Sequence, residues 1–168
     1  MNPEEEARQV IDSELSDLGW TDLDENAGNT GYKTEYPTST GPVDYVLILE
    51  NEPIAVIEAK EANKDAYSAL TQARRYARHI ETGENYGGEY CVPFAFTANS
   101  EEVWFQDLRP EAPRERKLRS FHTPDGLRKF LNTDYGGAKE WLADTPIEET
   151  DDELWNNQHE AIENIEEA

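Results

Sequence analysis

The stretch that decides the fold is Gly41-Pro42-Val43-Asp44-Tyr45-Val46-Leu47-Ile48-Leu49-Glu50, followed after Asn51-Glu52-Pro53 by Ile54-Ala55-Val56-Ile57-Glu58-Ala59-Lys60. Val46 to Leu49 is unbroken apolar sequence, as in a strand buried on both faces. The second run is apolar from Ile54 to Ile57 and then turns charged. The short polar connection makes the two runs an antiparallel hairpin. Glu58 and Lys60 stand two apart, so they project from one face. Opposed residues in such a pair keep a constant number sum, which ties the turn to the register. A two-residue turn at 51–52 sets Asp44 opposite Ala59, on the wrong face. A three-residue turn at 51–53, or an equivalent bulge, sets Asp44 opposite Lys60 and beside Glu58. Pro53 has no N–H for a ladder, which favours a place inside the turn. The expectation is a three-residue turn, or an equivalent bulge, with Asp44, Glu58 and Lys60 converging.

Charged groups inside an apolar strand are costly unless paired or put to use. A structural ion pair between the strands is one explanation. The other is a site for a hard divalent cation. Mg²⁺ prefers oxygen ligands and takes one or two carboxylates with water and phosphate oxygens. It polarises a scissile phosphate and lowers the pKa of an attacking water. Lys60 can orient that water or stabilise the developing negative charge.

Outward from the hairpin, Asn2-Pro3 reads as an N-cap and first helical position, with Glu4 to Glu6 at the positive end of the helix. Ala7, Val10, Ile11, Leu15 and Leu18 follow a helical period, which Gly19 ends. Tyr32 to Tyr36 reads as a short strand. Asp65 can cap a helix running to about Glu81, with Ala66, Ala69, Leu70, Ala73, Tyr76, Ala77 and Ile80 as its buried stripe. Tyr90–Thr97 and Glu102–Leu108 read as a second strand pair, with Cys91, Trp104 and Phe105 as core. Residues 109–120 read as a basic loop. Short helices are expected over 124–131 and 138–142. The order predicts one mixed α/β domain over residues 1–145, then an acidic linker and helical tail over 146–168.

The chain has 168 residues, with 37 Asp+Glu against 15 Lys+Arg, for a net charge of −22. Four Trp, eight Tyr and the apolar runs argue against a disordered chain. No apolar run reaches the roughly 20 residues needed to span a bilayer, and no signal peptide opens the chain. A single cysteine excludes an internal disulfide framework and fits a reduced cytoplasm. The acid excess suits a salt-adapted protein and on its face argues against a nucleic-acid partner. It is uneven, however. Residues 1–30 hold nine acids and one base, and residues 134–168 hold twelve and one. The middle holds sixteen acids and thirteen bases, leaving only −3. Its bases cluster, with Lys60, Lys64, Arg74, Arg75 and Arg78 in one stretch.

Asp44 with Glu58-Ala59-Lys60 resembles the PD-(D/E)xK nuclease motif, with Val43 where its proline would stand. Gln72-Ala73-Arg74-Arg75-Tyr76 resembles the QxxxY element that follows this motif in the restriction subunits of type I restriction enzymes. The helix closing in Gly19-Trp20, the run Pro93-Phe94-Ala95-Phe96-Thr97-Ala98-Asn99 and Phe121-His122-Thr123-Pro124 are similar to that family too. The resemblance implies a restriction-endonuclease-like α/β fold that hydrolyses DNA phosphodiesters with Mg²⁺. It implies Asp44, Glu58 and the Ala59 carbonyl as metal ligands and Lys60 as the catalytic lysine. Gln72 and Tyr76, with Arg74 and Arg75, would support the site and contact nucleic acid. Glu6 is a candidate further acid from the first helix. The implied partners are DNA and the modification and specificity subunits of a restriction complex. Leu154 to Ile162, with Gln158, resembles the lead-in to the ATP-driven motor of these subunits. No GxxxxGK[ST] loop follows, so ATP is expected to act only through a motor that this chain lacks. The rival is a catalytically silent nuclease-like module that binds DNA or partner proteins.

Overall fold

The computed structural model describes residues 2–82, 86 and 89–144. The chain divides into two compact units, Met1–Asn132 and Thr133–Ala168. The first opens with α1, Pro3–Asp17. Asn2 caps it by accepting from the Glu4 N–H at 3.3 Å. Gly19, at φ +93°, turns the chain out of the helix in a conformation that costs glycine nothing. Ala7, Ile11 and Leu15 are buried, whereas Val10 is 40% exposed. The buried stripe follows the strict i, i+4 row, and position 10 rotates to its solvent edge.

Seven strands lie side by side in chain order. They are β1 (Thr21–Asp22), β2 (Gly31–Tyr36), β3 (Val43–Leu49), β4 (Glu52–Ala59), β5 (Phe94–Ala98), β6 (Val103–Asp107) and β7 (Arg116–Leu118). The β1–β2 and β4–β5 pairs are parallel and the rest antiparallel. A parallel step needs a crossover. A 3₁₀ turn (Tyr67–Ala69) and α2 (Leu70–His79) supply it between β4 and β5. Asp65 Oδ1 accepts from the Tyr67 N–H at 3.0 Å, so it opens this 3₁₀ turn rather than the α-helix. All seven residues of the expected stripe are buried.

One sheet face packs on α2 through Val46, Ile48, Val56 and Ala95. The other carries Leu47, Ile57, Phe96 and Phe105 against Ile11 and Leu15 of α1 and Leu127 of α3 (Pro124–Leu131). The architecture is the expected α/β one, a mixed sheet flanked by helices. In the second unit α4 spans Tyr135–Asp144. The expected linker from 146, the final helix and Gln158 lie outside the described residues. Among the described residues no helix is long and apolar enough to cross a membrane.

The hairpin closes by the second of the two expected routes, a short turn followed by a bulge, and in a register two residues away from the expected one. Glu50 and Asn51, at φ +55° and +72°, form a two-residue turn of the primed kind that matches strand twist. Leu49 pairs with Glu52 and Ile48 with Pro53; a bulge then brings Leu47 opposite Ala55 and Tyr45 opposite Ile57. Pro53 therefore sits in β4 and not in the turn. It precedes Ala55, where pairing to β5 begins, so its missing N–H costs no ladder bond there. The bulge restores the parity that a two-residue turn alone would upset. Extended by one residue, the register sets Asp44 opposite Glu58, not Lys60, with all three on the α2 face.

Other boundaries differ for local reasons. β5 starts at Phe94, since Pro93 cannot extend the ladder. Cys91 is half-buried in the preceding loop, its N–H bonded to the Ala77 carbonyl at 2.8 Å, and is not part of a buried strand. Trp104 is half-buried too, and packs on the exposed Tyr67 with ring centroids 4.8 Å apart. Arg116–Leu118, read as loop, pairs with β6.

Candidate active site

The β3–β4 ladder ends at Tyr45–Ile57. Just beyond it Asp44 Oδ2 accepts from the Ala59 N–H at 2.8 Å, taking the place of a strand carbonyl. Glu58 is buried on the same face. Lys60 follows the last residue of β4, and its N–H donates to the Ala98 carbonyl at 2.8 Å, which continues the pairing to β5. Its Nζ donates to Glu58 Oε1 at 2.7 Å and to Gln72 Oε1 at 3.2 Å. Gln72 Nε2 in turn donates to the Tyr76 hydroxyl at 3.3 Å. Gln72 and Tyr76 share a face because they are one helical turn apart. The lysine is thus fixed by one strand residue and one helix residue. It points to Glu58 and not to Asp44.

Burial pushes Glu58 up to about 7; the Lys60 hydrogen bond opposes this and the Asp44 charge adds to it. Burial also raises Asp44, against the Ala59 N–H and the Arg8 guanidinium. Two adjacent carboxylates that burial drives toward protonation are a good electrostatic match for a divalent cation. Among the described residues no group of three or more His, Cys, Asp or Glu is arranged for a metal. Two carboxylates and the Ala59 main-chain carbonyl, completed by water and phosphate oxygens, are a donor set that suits Mg²⁺ and not a softer metal.

Three groups at the site carry no signal in the spacing. Thr97 Oγ1 donates to the Ala66 carbonyl at 2.6 Å. Asn99 Nδ2 donates to the Lys64 carbonyl at 3.0 Å, while its Oδ1 accepts from the Glu101 and Glu102 N–H groups at 2.8 Å. Together they fasten the 60–66 loop to the end of β5. The third is Arg8 of α1, which pairs with Asp44. Glu6 does not join the site; it lines a separate surface groove with Gln9, Val10 and Ser13.

From Lys60 an open groove of about 750 Å³ runs along α2, lined by Lys64, Ser68, Gln72, Arg75 and Arg78. Arg75 lies against the Tyr76 ring, 5.3 Å from its centroid. Arg74 turns away, donating to Gln106 at 2.9 Å and Thr71 at 3.0 Å. One residue of helix rotates a side chain by about 100°, enough to carry Arg74 from the groove to β6.

A mixed sheet that sets two carboxylates and a lysine at the end of a parallel-paired strand, beneath a crossover helix, is the architecture of restriction-endonuclease-like domains. Comparison with known proteins gives the family. The model described as "Type I restriction enzyme EcoKI endonuclease subunit second domain" matches residues 25–131. The chain belongs to this family. It is 25% identical to the type I restriction enzyme EcoKI endonuclease subunit of Escherichia coli K12, over 85% of this chain and 17% of that protein. A fragment of a putative HsdR subunit of a type I restriction enzyme from Vibrio vulnificus YJ016 has a similar fold. Its TM-score is 0.59 at 24% identity, over 78% of this chain and 25% of that one. The chain therefore spans a small part of both relatives.

Proposed function

We propose that this chain is the nuclease domain of a type I restriction system and hydrolyses DNA phosphodiester bonds with Mg²⁺. The observation that carries the reading is the convergence of Asp44, Glu58 and Lys60 on one sheet face, with Lys60 anchored by Gln72. Asp44, Glu58 and the Ala59 carbonyl would hold the cation. When bound, Mg²⁺ polarises the scissile phosphate and lowers the pKa of the attacking water. Lys60 positions that water and places a positive charge where the phosphorane charge develops. Gln72 and Tyr76 keep the ammonium from swinging into solvent. Lys64, Arg75 and Arg78 bind the phosphate backbone along the α2 groove, with no base contacts implied.

The domain works inside a complex whose modification and specificity subunits choose the DNA, and ATP acts through the motor of that complex. Plasmid cleavage with Mg²⁺, at several salt concentrations, tests the reading. Wild type is expected to nick or cut, while Glu58→Ala and Lys60→Ala are expected to lose nearly all activity. Equal cutting by all three would mean that the activity belongs to a contaminant. Intact binding without cleavage by wild type would favour a silent module.

A further inference from the structure

Arg8 lies on α1, yet it reaches the end of β3. Its Nη2 donates to Asp44 Oδ1 and its Nη1 to Glu35 Oε1. Glu4, one helical turn earlier, is 3.8 Å from Nη2. Asp44 Oδ2 is held by the fixed Ala59 main chain, whereas Oδ1 is held by a movable side chain, so Oδ1 is the oxygen more readily given over to a cation. Glu35 stands across the β2–β3 ladder from Asp44, between the pairs Thr34–Tyr45 and Tyr36–Val43. It does so in a left-handed conformation, at φ +45°. A glutamate rarely takes that conformation, and such strain persists where the surroundings impose it and concentrates at functional sites.

We propose that Arg8 and Glu35 form a positioning pair for Asp44. The guanidinium competes with the divalent cation for Asp44 Oδ1, and Glu35 retains the guanidinium when the cation takes that oxygen. This rests on the nuclease reading above and adds two residues to it. An Asp44 oxygen engaged by arginine has little charge left for a metal, so the two occupants weaken each other, and the coupling is reciprocal. Glu35 gives Arg8 a second carboxylate on the neighbouring strand, so release from Asp44 leaves no uncompensated charge.

The test is Mn²⁺ binding by the 168-residue chain, followed by calorimetry and by electron paramagnetic resonance of the free ion. Arg8→Ala is expected to bind Mn²⁺ roughly fivefold or more tighter, and Glu35→Gln to bind it weaker by a similar factor. The Glu35→Gln effect is expected to vanish in the Arg8→Ala background, whereas a general charge effect would persist there. Near-UV circular dichroism follows folding. Should Arg8→Ala unfold, Arg8→Lys keeps the charge, loses the fork, and is expected to show the same tightening in smaller measure. Unchanged or weaker Mn²⁺ binding on substitution of Arg8, or strictly additive effects of the two substitutions, overturns the proposal. If Asp44→Asn abolishes binding while Arg8 is indifferent, the inference fails alone. If neither wild type nor Arg8→Ala binds Mn²⁺, the nuclease reading fails with it.

Discussion

Replacing Glu58 by Gln is expected to stabilise the fold at alkaline pH while abolishing metal binding. Glu58 sits 4% exposed beside the half-buried Asp44 carboxylate, and its pKa rises from 4.5 to about 7. The folded chain therefore holds a proton that the unfolded chain has lost. The stability this gives is fully present below pH 4.5 and is lost as pH rises through 7. At about 1.4 kcal/mol per pH unit, the interval corresponds to roughly 3 kcal/mol. Glutamine keeps the shape and never ionises, so the variant escapes that loss. The opposing Lys60 hydrogen bond is already contained in the Glu58 shift, and in the variant Lys60 keeps its bond to Gln72. The assay is urea unfolding of both proteins in EDTA between pH 4.5 and 8. The stability of Glu58→Gln relative to wild type should rise by about 3 kcal/mol across the range. Added Mg²⁺ should then stabilise wild type at pH 8 through mass action and leave the variant unmoved. A flat or falling difference would refute the view that burial beside Asp44 governs this carboxylate.

His122 predicts the opposite slope. Its ring packs among Phe96, Phe105 and Phe130, and burial, with the Arg116 charge, lowers its pKa from 6.5 to about 4. The unfolded chain takes up the proton first, so stability should fall as pH drops from 6.5 through 4, most clearly in a Glu58→Gln background. His122→Phe should flatten that fall in urea unfolding, and an unchanged slope would refute the assignment. Thr97→Val leaves the buried Ala66 carbonyl without its donor and should cost about 1–3 kcal/mol in chemical denaturation. It should also slow DNA cleavage by loosening the loop that leads to Gln72; full stability and rate would remove Thr97 from the positioning machinery. Alanine at Lys64, Arg75 or Arg78 should each lower the salt slope of DNA binding by about one, measured by fluorescence anisotropy, whereas Arg74→Ala should leave it nearly unchanged.

The parts of the fold legible in the sequence are those carried by local period. The α2 stripe and the α1 cap at Asn2 follow from spacing and side-chain chemistry, and the structure reproduces them. The register of the central hairpin was half legible. Parity demanded that Asp44 share a face with Glu58 and Lys60, but parity is satisfied equally by a longer turn or by a bulge. The left-handed tolerance of Asn51 selected the short turn, and the bulge followed. The shortest strands, β1 and β7, hold two and three residues, too few for any period to emerge. Arg8 was illegible for another reason. It is 36 residues from Asp44 and on a different element, so only the packing of α1 brings them together. Thr97 and Asn99 stood within a familiar run, but what they do is bond main-chain carbonyls some 30 residues away.

The net charge of −22 says less about DNA than its distribution does. At physiological salt the Debye length is about 8 Å, so a phosphate in the α2 groove responds mainly to the groove's own lining. That lining carries Lys60, Lys64, Arg75 and Arg78 against Asp65, and three of these cations are already paired, with Glu58, Glu61 and Glu89. The acids of residues 1–30 and 134–168 hold most of the excess. Salt then has two opposed effects. It screens long-range repulsion between duplex and acidic body, which eases encounter. It also weakens each phosphate contact, because fewer counterions are released on binding. A chain with few groove cations and a large acidic remainder has the first effect unusually strong and the second unusually weak. Its DNA affinity should accordingly be low and only shallowly dependent on salt. That balance suits a domain that is delivered to DNA by partner subunits, and not one that must capture DNA by its own field.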